Sequence, residues 1–253
     1  MLRNLLLCGL VAGLCAGLVS TGFASLAGEP AIDRAIAYED AHAPAHHDAA
    51  AAPVPVSRAL QRTGGLLTAL VVDGLALGGI FALVFAFTYG RVGRASPRAT
   101  AYWLAGAAFL VLFLVPFVKY PANPPSVGDP ATIGRRTTLY ATMFAISVCA
   151  AIAAGRLRPV LRERFDGHAA TGLAVLAFVV VVTAAGLVLP SVNEVPRDFP
   201  ATTLWQFREA SIGLQLTMWT TIGLLFGFAA QRVMTGRPVV ARRRRERLAA
   251  AGD

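Results

Sequence analysis

Residues 66–89 read LLTALVVDGLALGGIFALVFAFTY, and Asp73 is the one charged residue among them. A membrane-spanning helix needs about 20 consecutive, mostly apolar residues, so this stretch predicts such a helix. The 253 residues of the chain are 56% hydrophobic and 15% charged, whereas soluble domains average about 45–50% apolar and about 25% charged residues. A soluble fold of this length has too little interior to bury the excess, and we therefore predict a membrane protein.

Six stretches of the chain have this apolar character, and charged residues or prolines bound each of them. They are residues 5–26, 66–89, 101–118, 137–155, 169–189 and 212–230. No gap between them is long enough for an independent folded domain. The sequence thus predicts an all-α protein, a polytopic membrane helix bundle of about six transmembrane helices. We expect a single membrane domain over residues 1–230, followed by a basic cytoplasmic tail over residues 231–253.

The first stretch also has features of a cleavable signal peptide. Arg3 precedes an apolar core, and the small residues around Ser25 and Ala27 resemble a cleavage site. Cleavage would leave five membrane-spanning helices. The alternative is a retained first helix, which the repeated GxxxG spacing within residues 9–17 favours, because small residues at that spacing let helices approach closely in lipid.

The basic residues are distributed unevenly among the segments that join the six stretches. If the N-terminus is cytoplasmic, 15 of the 23 Lys and Arg residues fall on the cytoplasmic side, many of them in the tail, and most acidic residues fall on the other side. The positive-inside rule favours this orientation, with both termini in the cytoplasm. The net charge of +9 then indicates attraction to anionic lipid headgroups, and we expect no nucleic-acid partner.

Three of the four histidines lie in the connection over residues 27–65, which we predict to be an outer loop. His42, His46 and His47 stand close in sequence to Glu39 and other carboxylates. Imidazole together with carboxylate suits divalent ions such as Co²⁺, Ni²⁺ and Zn²⁺. Pro44 and the Ala/Pro tract after it argue against a rigid helix, so we expect a flexible metal-collecting loop. A solvated loop with incidental histidines is the alternative.

Asp73 lies well inside the second stretch, roughly 10 Å from its outer end at a rise of about 1.5 Å per residue. An ionisable residue at that depth is costly and marks a functional site by default. Three functional roles are open: an ion ligand, a proton carrier and a partner of an arginine. A structural hydrogen bond to a neighbouring helix is the non-functional alternative.

Two further connections, over residues 119–128 and 190–208, contain prolines and aromatic residues that favour ordered loops. They bring Asn193 and Glu194, both possible oxygen ligands for a metal ion, to the predicted outer face. No catalytic or nucleotide-binding motif occurs in a supporting context. We therefore predict that the chain is not an enzyme and has no resident cofactor.

The same connections resemble those of the CbtA family, the predicted cobalt transporter subunits of bacteria. The resemblance extends over nearly the whole chain. It rests on Tyr38-Glu39 followed by histidines, Arg62-Thr63, KYPANPP at 119–125, VNEVP at 192–196, Phe199-Pro200 and LWQFR at 204–208. It implies an inner-membrane protein tied to cobalt supply for cobalamin synthesis, with CbtB, a small one-span protein with a histidine-rich end, as a partner. The family is usually described with five spans, one fewer than the six that the apolar stretches predict.

Together these observations predict a path for Co²⁺ into the cell. The ion is collected by Glu39, His42, His46 and His47, passes to Asn193 and Glu194, and meets Asp73 within the membrane. The membrane potential, which pulls cations inward, supplies the energy. Two alternatives remain: a non-transporting scaffold or regulatory subunit for a small His-rich partner, and a permease for nickel or another divalent cation.

Overall fold

The computed structural model of the chain describes residues 1–42, 57–91 and 95–235. Within these residues the chain forms helices and their connections, without a strand. Six helices are long and apolar enough to cross a membrane, as the sequence predicts. They are α1 (Leu2–His42), α2 (Arg58–Thr88), α3 (Pro97–Lys119), α4 (Pro130–Leu161), α5 (Gly167–Val188) and α6 (Ala201–Thr235).

Four of the six helices change their hydrogen-bonding pattern along their length. In α1, α2 and α3 a short π-helical segment joins two α-helical parts, and α4 begins with a 3₁₀ turn. The π-helical segments are Ala24–Gly28 in α1, Gln61–Gly65 in α2 and Phe109–Leu114 in α3, and the 3₁₀ turn of α4 is Pro130–Thr132. Such segments shift the face that a helix presents to its neighbours.

The flexible loop that the sequence predicts over residues 27–65 is helical for a large part of that segment. The helical segment Glu29–His42 continues α1, and Arg58 begins α2. The physical reason is a helical stripe: Ala31 and Ala35 are fully buried, and Tyr38 follows at the next position of the same face, where it packs against a buried cluster. Residues 204–208, which the sequence places in a connection, are likewise helical, since α6 begins at Ala201.

The described residues form two compact units. The first unit comprises the described residues among 1–23, 57–106 and 216–235, and the second comprises residues 24–42 and 107–215. The single membrane domain that the sequence predicts over residues 1–230 stays a prediction.

In the first unit, α1 and α2 approach each other through glycines. A Cβ added to Gly13 would lie against the carbonyl oxygen of Gly74, and a Cβ added to Gly9 would meet that of Gly78. Gly17 lies in the same way against the backbone at Leu70. The GxxxG spacing in both helices therefore serves backbone-to-backbone packing, which is the usual basis of helix association in lipid.

An aromatic cluster and two further glycines connect α2, α3 and α6 within the first unit. The Phe226 ring on α6 lies 5.2 Å from the Phe81 ring and 4.9 Å from the Phe85 ring, both on α2, in edge-to-face arrangements. Such geometry suits the quadrupoles of aromatic rings. Gly223 lies against Ala105, and Gly227 lies against Tyr102.

In the second unit, Ser147 on α4 compensates for a proline in α3. In the π-helical segment of α3, each amide donates a hydrogen bond to the carbonyl five residues earlier, as Val115 does to Leu110. Pro116 comes next and has no amide hydrogen, which would leave the Val111 carbonyl without a donor. The fully buried Ser147 hydroxyl donates to this carbonyl at 2.8 Å. Proline is tolerated in membrane helices where such a side chain replaces the missing donor.

Gly13→Ala should weaken the packing of α1 on α2, because the added methyl group would meet the Gly74 carbonyl. We expect a loss of about 1–3 kcal/mol, the usual cost of overpacking. Unfolding by dodecyl sulfate in mixed micelles, followed by circular dichroism, measures it. Gly22→Ala is the matched control, since nothing lies within 4 Å of that position. Equal stability of both variants would contradict the packing role.

Ser147→Ala should lower stability by about 1–2 kcal/mol, because it leaves the Val111 carbonyl without a donor in an apolar interior. The same unfolding assay applies. Thr142→Ala is the control. The Thr142 hydroxyl donates to the Thr138 carbonyl of the same helix, and this carbonyl keeps its backbone hydrogen bond when the side chain is removed. A Ser147→Ala variant as stable as Thr142→Ala would show that the proline needs no compensation.

Candidate functional site

Three segments of the second unit pack together around a small apolar core. We call this arrangement the loop cluster; it consists of the helical segment Glu29–His42 of α1 and the connections over residues 120–129 and 189–200. Its buried residues are Ala35, Val127 and Phe199, one from each segment. Tyr38, Val195 and Leu204 pack against them. The core orders both connections, as their prolines and aromatic residues predict.

The connection over residues 120–129 has an unusual backbone that brings two polar groups into position. Ser126 has a φ of +70°, and its hydroxyl lies 3.0 Å from both the Glu39 Oε2 atom and the Ala35 carbonyl oxygen, either of which can accept its proton. Gly128 has a φ of +122°, and a Cβ added there would collide with the Arg136 guanidinium. Glycine suits this left-handed turn, and a side chain there would displace the Arg136 guanidinium.

Glu194 joins the two connections. Its Oε1 atom accepts a hydrogen bond from the Thr132 hydroxyl at 2.7 Å, and its Oε2 atom accepts one from the Asp129 amide at 2.9 Å. Arg136 Nε lies 3.5 Å from the same Oε2 atom. These hydrogen bonds, from Thr132 first and then Asp129, lower the pKa of Glu194, and the nearby arginines lower it further. Both oxygens have protein donors, which favours a structural role for this carboxylate.

Arg208 and Tyr120 hold the connections from the other side. The Arg208 guanidinium donates to the Asn123 side-chain oxygen at 3.0 Å and to the Ala122 carbonyl at 3.3 Å. The Tyr120 hydroxyl donates to the Pro190 carbonyl at 2.7 Å. The conspicuous polar residues of these segments thus bond mainly to one another.

A cavity of about 820 Å³ opens beside these bonds in the second unit. Its lining includes Phe113, Tyr120, Asn123, Arg136, Glu194 and Arg208. Asn193 also lines it and is exposed. Its polar groups include two arginines and one carboxylate, so its lining does not resemble a cage for a bare divalent cation.

His42, Tyr38 and Asp198 form a separate polar group in the loop cluster. The His42 Nδ1 atom lies 2.8 Å from the Tyr38 carbonyl oxygen, and its Nε2 atom lies 3.4 Å from the Asp198 Oδ2 atom. The Tyr38 ring stacks on the imidazole at 4.1 Å between centroids, and its hydroxyl bonds to the Asp198 carboxylate. That hydrogen bond is the main cause of a lowered pKa of Asp198.

The structure brings together some of the residues predicted to bind metal. Glu39, His42, Asn193 and Glu194 all belong to the loop cluster, whereas His46 and His47 lie outside the described residues. Asp73 belongs to the first unit, where it is exposed on α2, and the described residues give its carboxylate no hydrogen-bond or ion-pair partner. Among the described residues, no three His, Cys, Asp or Glu side chains converge on one point.

Sequence reasoning missed Asp198 and Tyr38 as members of the site. The spacing of Ala31, Ala35, Tyr38 and His42 indicates a helix that places all four on one face, so Tyr38 could have been identified as a neighbour of His42 from the sequence. Asp198 carried no such signal, since its position depends on how the connection over residues 189–200 folds back onto α1.

In a comparison with family models, the family described as "Probable cobalt transporter subunit (CbtA)" matches residues 2–231. The matched region includes the loop cluster, Asp73 and almost all of the six long helices. No curated protein and no solved structure matches the chain.

Glu194→Gln should loosen the loop cluster, because one acceptor oxygen becomes an amide that cannot accept from Asp129 or pair with Arg136. Since the pKa of Glu194 is lowered in the fold, its stabilisation is present above the ordinary glutamate pKa and is lost as the pH falls through the lowered value. The difference in melting temperature between wild type and Glu194→Gln should therefore shrink in acid. Glu163→Gln, at an exposed turn, is the control. A difference that stays constant with pH would contradict this role.

Proposed function

This chain belongs to the CbtA family of probable cobalt transporter subunits, and from that membership we propose that it takes part in carrying Co²⁺ across the bacterial inner membrane into the cytoplasm. The observation that carries the proposal is the extent of the match, which spans nearly all of the six helices that can cross a membrane. A supply of cobalt for cobalamin synthesis is the use that we propose for the imported ion.

The proposed orientation has both termini in the cytoplasm. In this orientation the loop cluster lies on the outer side, together with most of the acidic residues, and the arginine-rich segments lie inside. An incoming cation then first meets carboxylates and imidazoles. The membrane potential favours inward movement of positive charge by about 2.3 kcal/mol per elementary charge per 100 mV, and it is the energy source that we propose.

The ligands that we propose for collection are Glu39, His42, His46 and His47. Glu39 and His42 support this role because they lie at the exposed end of a helix, at the surface of the loop cluster. Asn193 has an exposed amide on the cavity wall and remains a proposed oxygen ligand. For Glu194, whose oxygens already have protein donors, the contacts favour the structural role instead.

Asp73 is the residue that we propose for the passage through the membrane. It is the one charged residue in the six apolar stretches, and the described residues provide no partner that would explain it as a structural group. Carboxylates at such positions commonly mark the path of an ion.

An uptake assay with ⁵⁷Co²⁺ tests the proposal in cells that lack their own cobalt importer. Expression of the chain with its small histidine-rich partner should raise uptake, and Asp73→Asn should reduce it at least tenfold at equal protein level. Glu163→Gln, exposed and outside the spans, is the control. Competition by excess Ni²⁺ tests the nickel alternative. Uptake no higher than in cells without the chain would overturn the proposal.

A second candidate function is that of a subunit that holds a partner and does not itself conduct the ion. The exposure of Asp73 favours it, because a carboxylate on the outside of a membrane helix requires a partner from another chain or a water-filled path. Reconstitution in liposomes, within the same assay, separates the candidates. Uptake by the chain alone favours the permease, whereas uptake only after addition of the partner favours the obligate subunit.

A further inference from the structure

We infer that His42 and Asp198 form a two-ligand site for a first-row divalent cation at the surface of the loop cluster. The inference rests on the proposed function for the identity of the ion, Co²⁺, and it names the place where the chain first captures it. Asp198 and Tyr38 are new members of this site, which is argued from the described residues alone. The inference depends on four observations of the described residues.

The first observation concerns the tautomer of His42. Its Nδ1 atom lies 2.8 Å from the Tyr38 carbonyl oxygen, which can only accept a hydrogen bond, so Nδ1 carries the hydrogen. In the neutral imidazole the Nε2 atom then has a free lone pair. A metal-binding histidine usually donates its other ring N–H to a backbone carbonyl or a carboxylate, because this hydrogen bond fixes both the tautomer and the ring orientation.

The second observation is that this lone pair faces a carboxylate. The Asp198 Oδ2 atom lies 3.4 Å from the His42 Nε2 atom. Two hydrogen-bond acceptors at this distance repel each other unless a proton or a cation lies between them. A zinc ion bound tetrahedrally at about 2.0–2.1 Å from nitrogen and about 2.0–2.2 Å from oxygen holds those two atoms about 3.4 Å apart. The observed separation suits two ligands of one tetrahedral ion as well as a direct ion pair, and the binding test below separates the two.

The third observation is that one residue positions both ligands. The Tyr38 carbonyl receives the His42 Nδ1 hydrogen, the Tyr38 ring stacks on the imidazole, and the Tyr38 hydroxyl donates to Asp198. Tyr38 itself is held edge-on against the buried Phe199 ring at 4.9 Å. The ligand pair thus rests on the apolar core of the loop cluster, and Tyr38 is a positioning residue.

The fourth observation is access. The His42 and Asp198 side chains are 53% and 62% exposed, so an ion can reach both from water. Among the described residues no third His, Cys, Asp or Glu joins them, and water would fill the remaining coordination positions. A site with two protein ligands binds and releases readily, which suits the capture of an ion that must move on.

The chain offers a matched control in its other described histidine. His168 Nδ1 lies 3.9 Å from the Asp166 Oδ1 atom, and both side chains are exposed. Here the Asp166 Oδ1 atom, which faces the histidine, accepts the amides of His168 and Ala169 as the N-cap of α5. Within the described part of the chain, no hydrogen bond fixes this ring from its other side. A histidine beside an aspartate is therefore not sufficient for the site.

The test is Co²⁺ titration of the purified full-length protein in detergent, in a background in which alanine replaces His46 and His47. Binding is followed by calorimetry and by the visible absorption of Co²⁺, which is intense for a tetrahedral ion and weak for an octahedral one. His42→Gln and Asp198→Asn should each weaken binding at least tenfold. Tyr38→Phe should weaken it about 10-fold, as losses behind a metal ligand commonly do. His168→Gln should change nothing.

Exposed ion pairs contribute little to stability, so these variants should fold, and their melting temperatures verify it. Binding that is unchanged in both ligand variants would overturn the inference and leave a simple surface ion pair. Equal loss in His168→Gln would also overturn it, since adventitious binding to any histidine would then explain the signal. If the titration shows no Co²⁺ binding at His42 and Asp198 but cells with the chain still take up ⁵⁷Co²⁺, this site is refuted and the proposed transport is not. Binding without any ⁵⁷Co²⁺ uptake would refute the transport but not the site.

Discussion

The hydrocarbon interior of a bilayer offers no hydrogen-bond partner to a backbone amide or carbonyl, and the structure of this chain depends on that constraint. A helix satisfies these groups internally, so the apolar stretches have one conformation available. The exception at Pro116 follows the same rule, because Ser147 on another helix supplies the donor that the proline lacks. The constraint also explains the glycine contacts between α1 and α2: lipid is as apolar as the side chains, so close packing has to replace the hydrophobic effect as the attraction between helices.

Polar side chains are free of this constraint only outside the hydrocarbon, and there they determine the structure. At the loop cluster, Glu194 accepts hydrogen bonds from the Asp129 amide and from the Thr132 hydroxyl of α4, and Arg208 of α6 donates to the Ala122 carbonyl. These bonds satisfy connections that have no regular hydrogen-bonding pattern of their own. The buried Phe199 supplies the apolar contact that these connections need to stay ordered. The same core holds Tyr38, and through it His42 and Asp198. The position of the possible metal ligands is therefore a consequence of loop packing.

The six helices could be predicted because length and apolar composition are sufficient to specify a membrane span. The continuation of α1 to His42 was missed, since Pro44 and the charges of the segment suggest a loop and outweigh the weak signal of two small residues, Ala31 and Ala35, on one face. Glu194 looked like a free ligand because its partners Thr132 and Arg136 are far away in sequence. Asp198 could not be found at all. Which of several loop carboxylates faces a given histidine depends on tertiary packing, which leaves no trace in residue spacing.

The charges inside the membrane limit how a divalent ion can cross. Asp73 is the one charged residue in the six apolar stretches, so an ion that met Asp73 alone would keep a net positive charge there. A charge without full compensation is costly in a medium of low dielectric constant. The proposed path for Co²⁺ therefore needs further ligands at this depth, from retained water or from another chain. The exposure of Asp73 on α2 makes it accessible to a second chain, and the family description as a transporter subunit agrees with the same requirement.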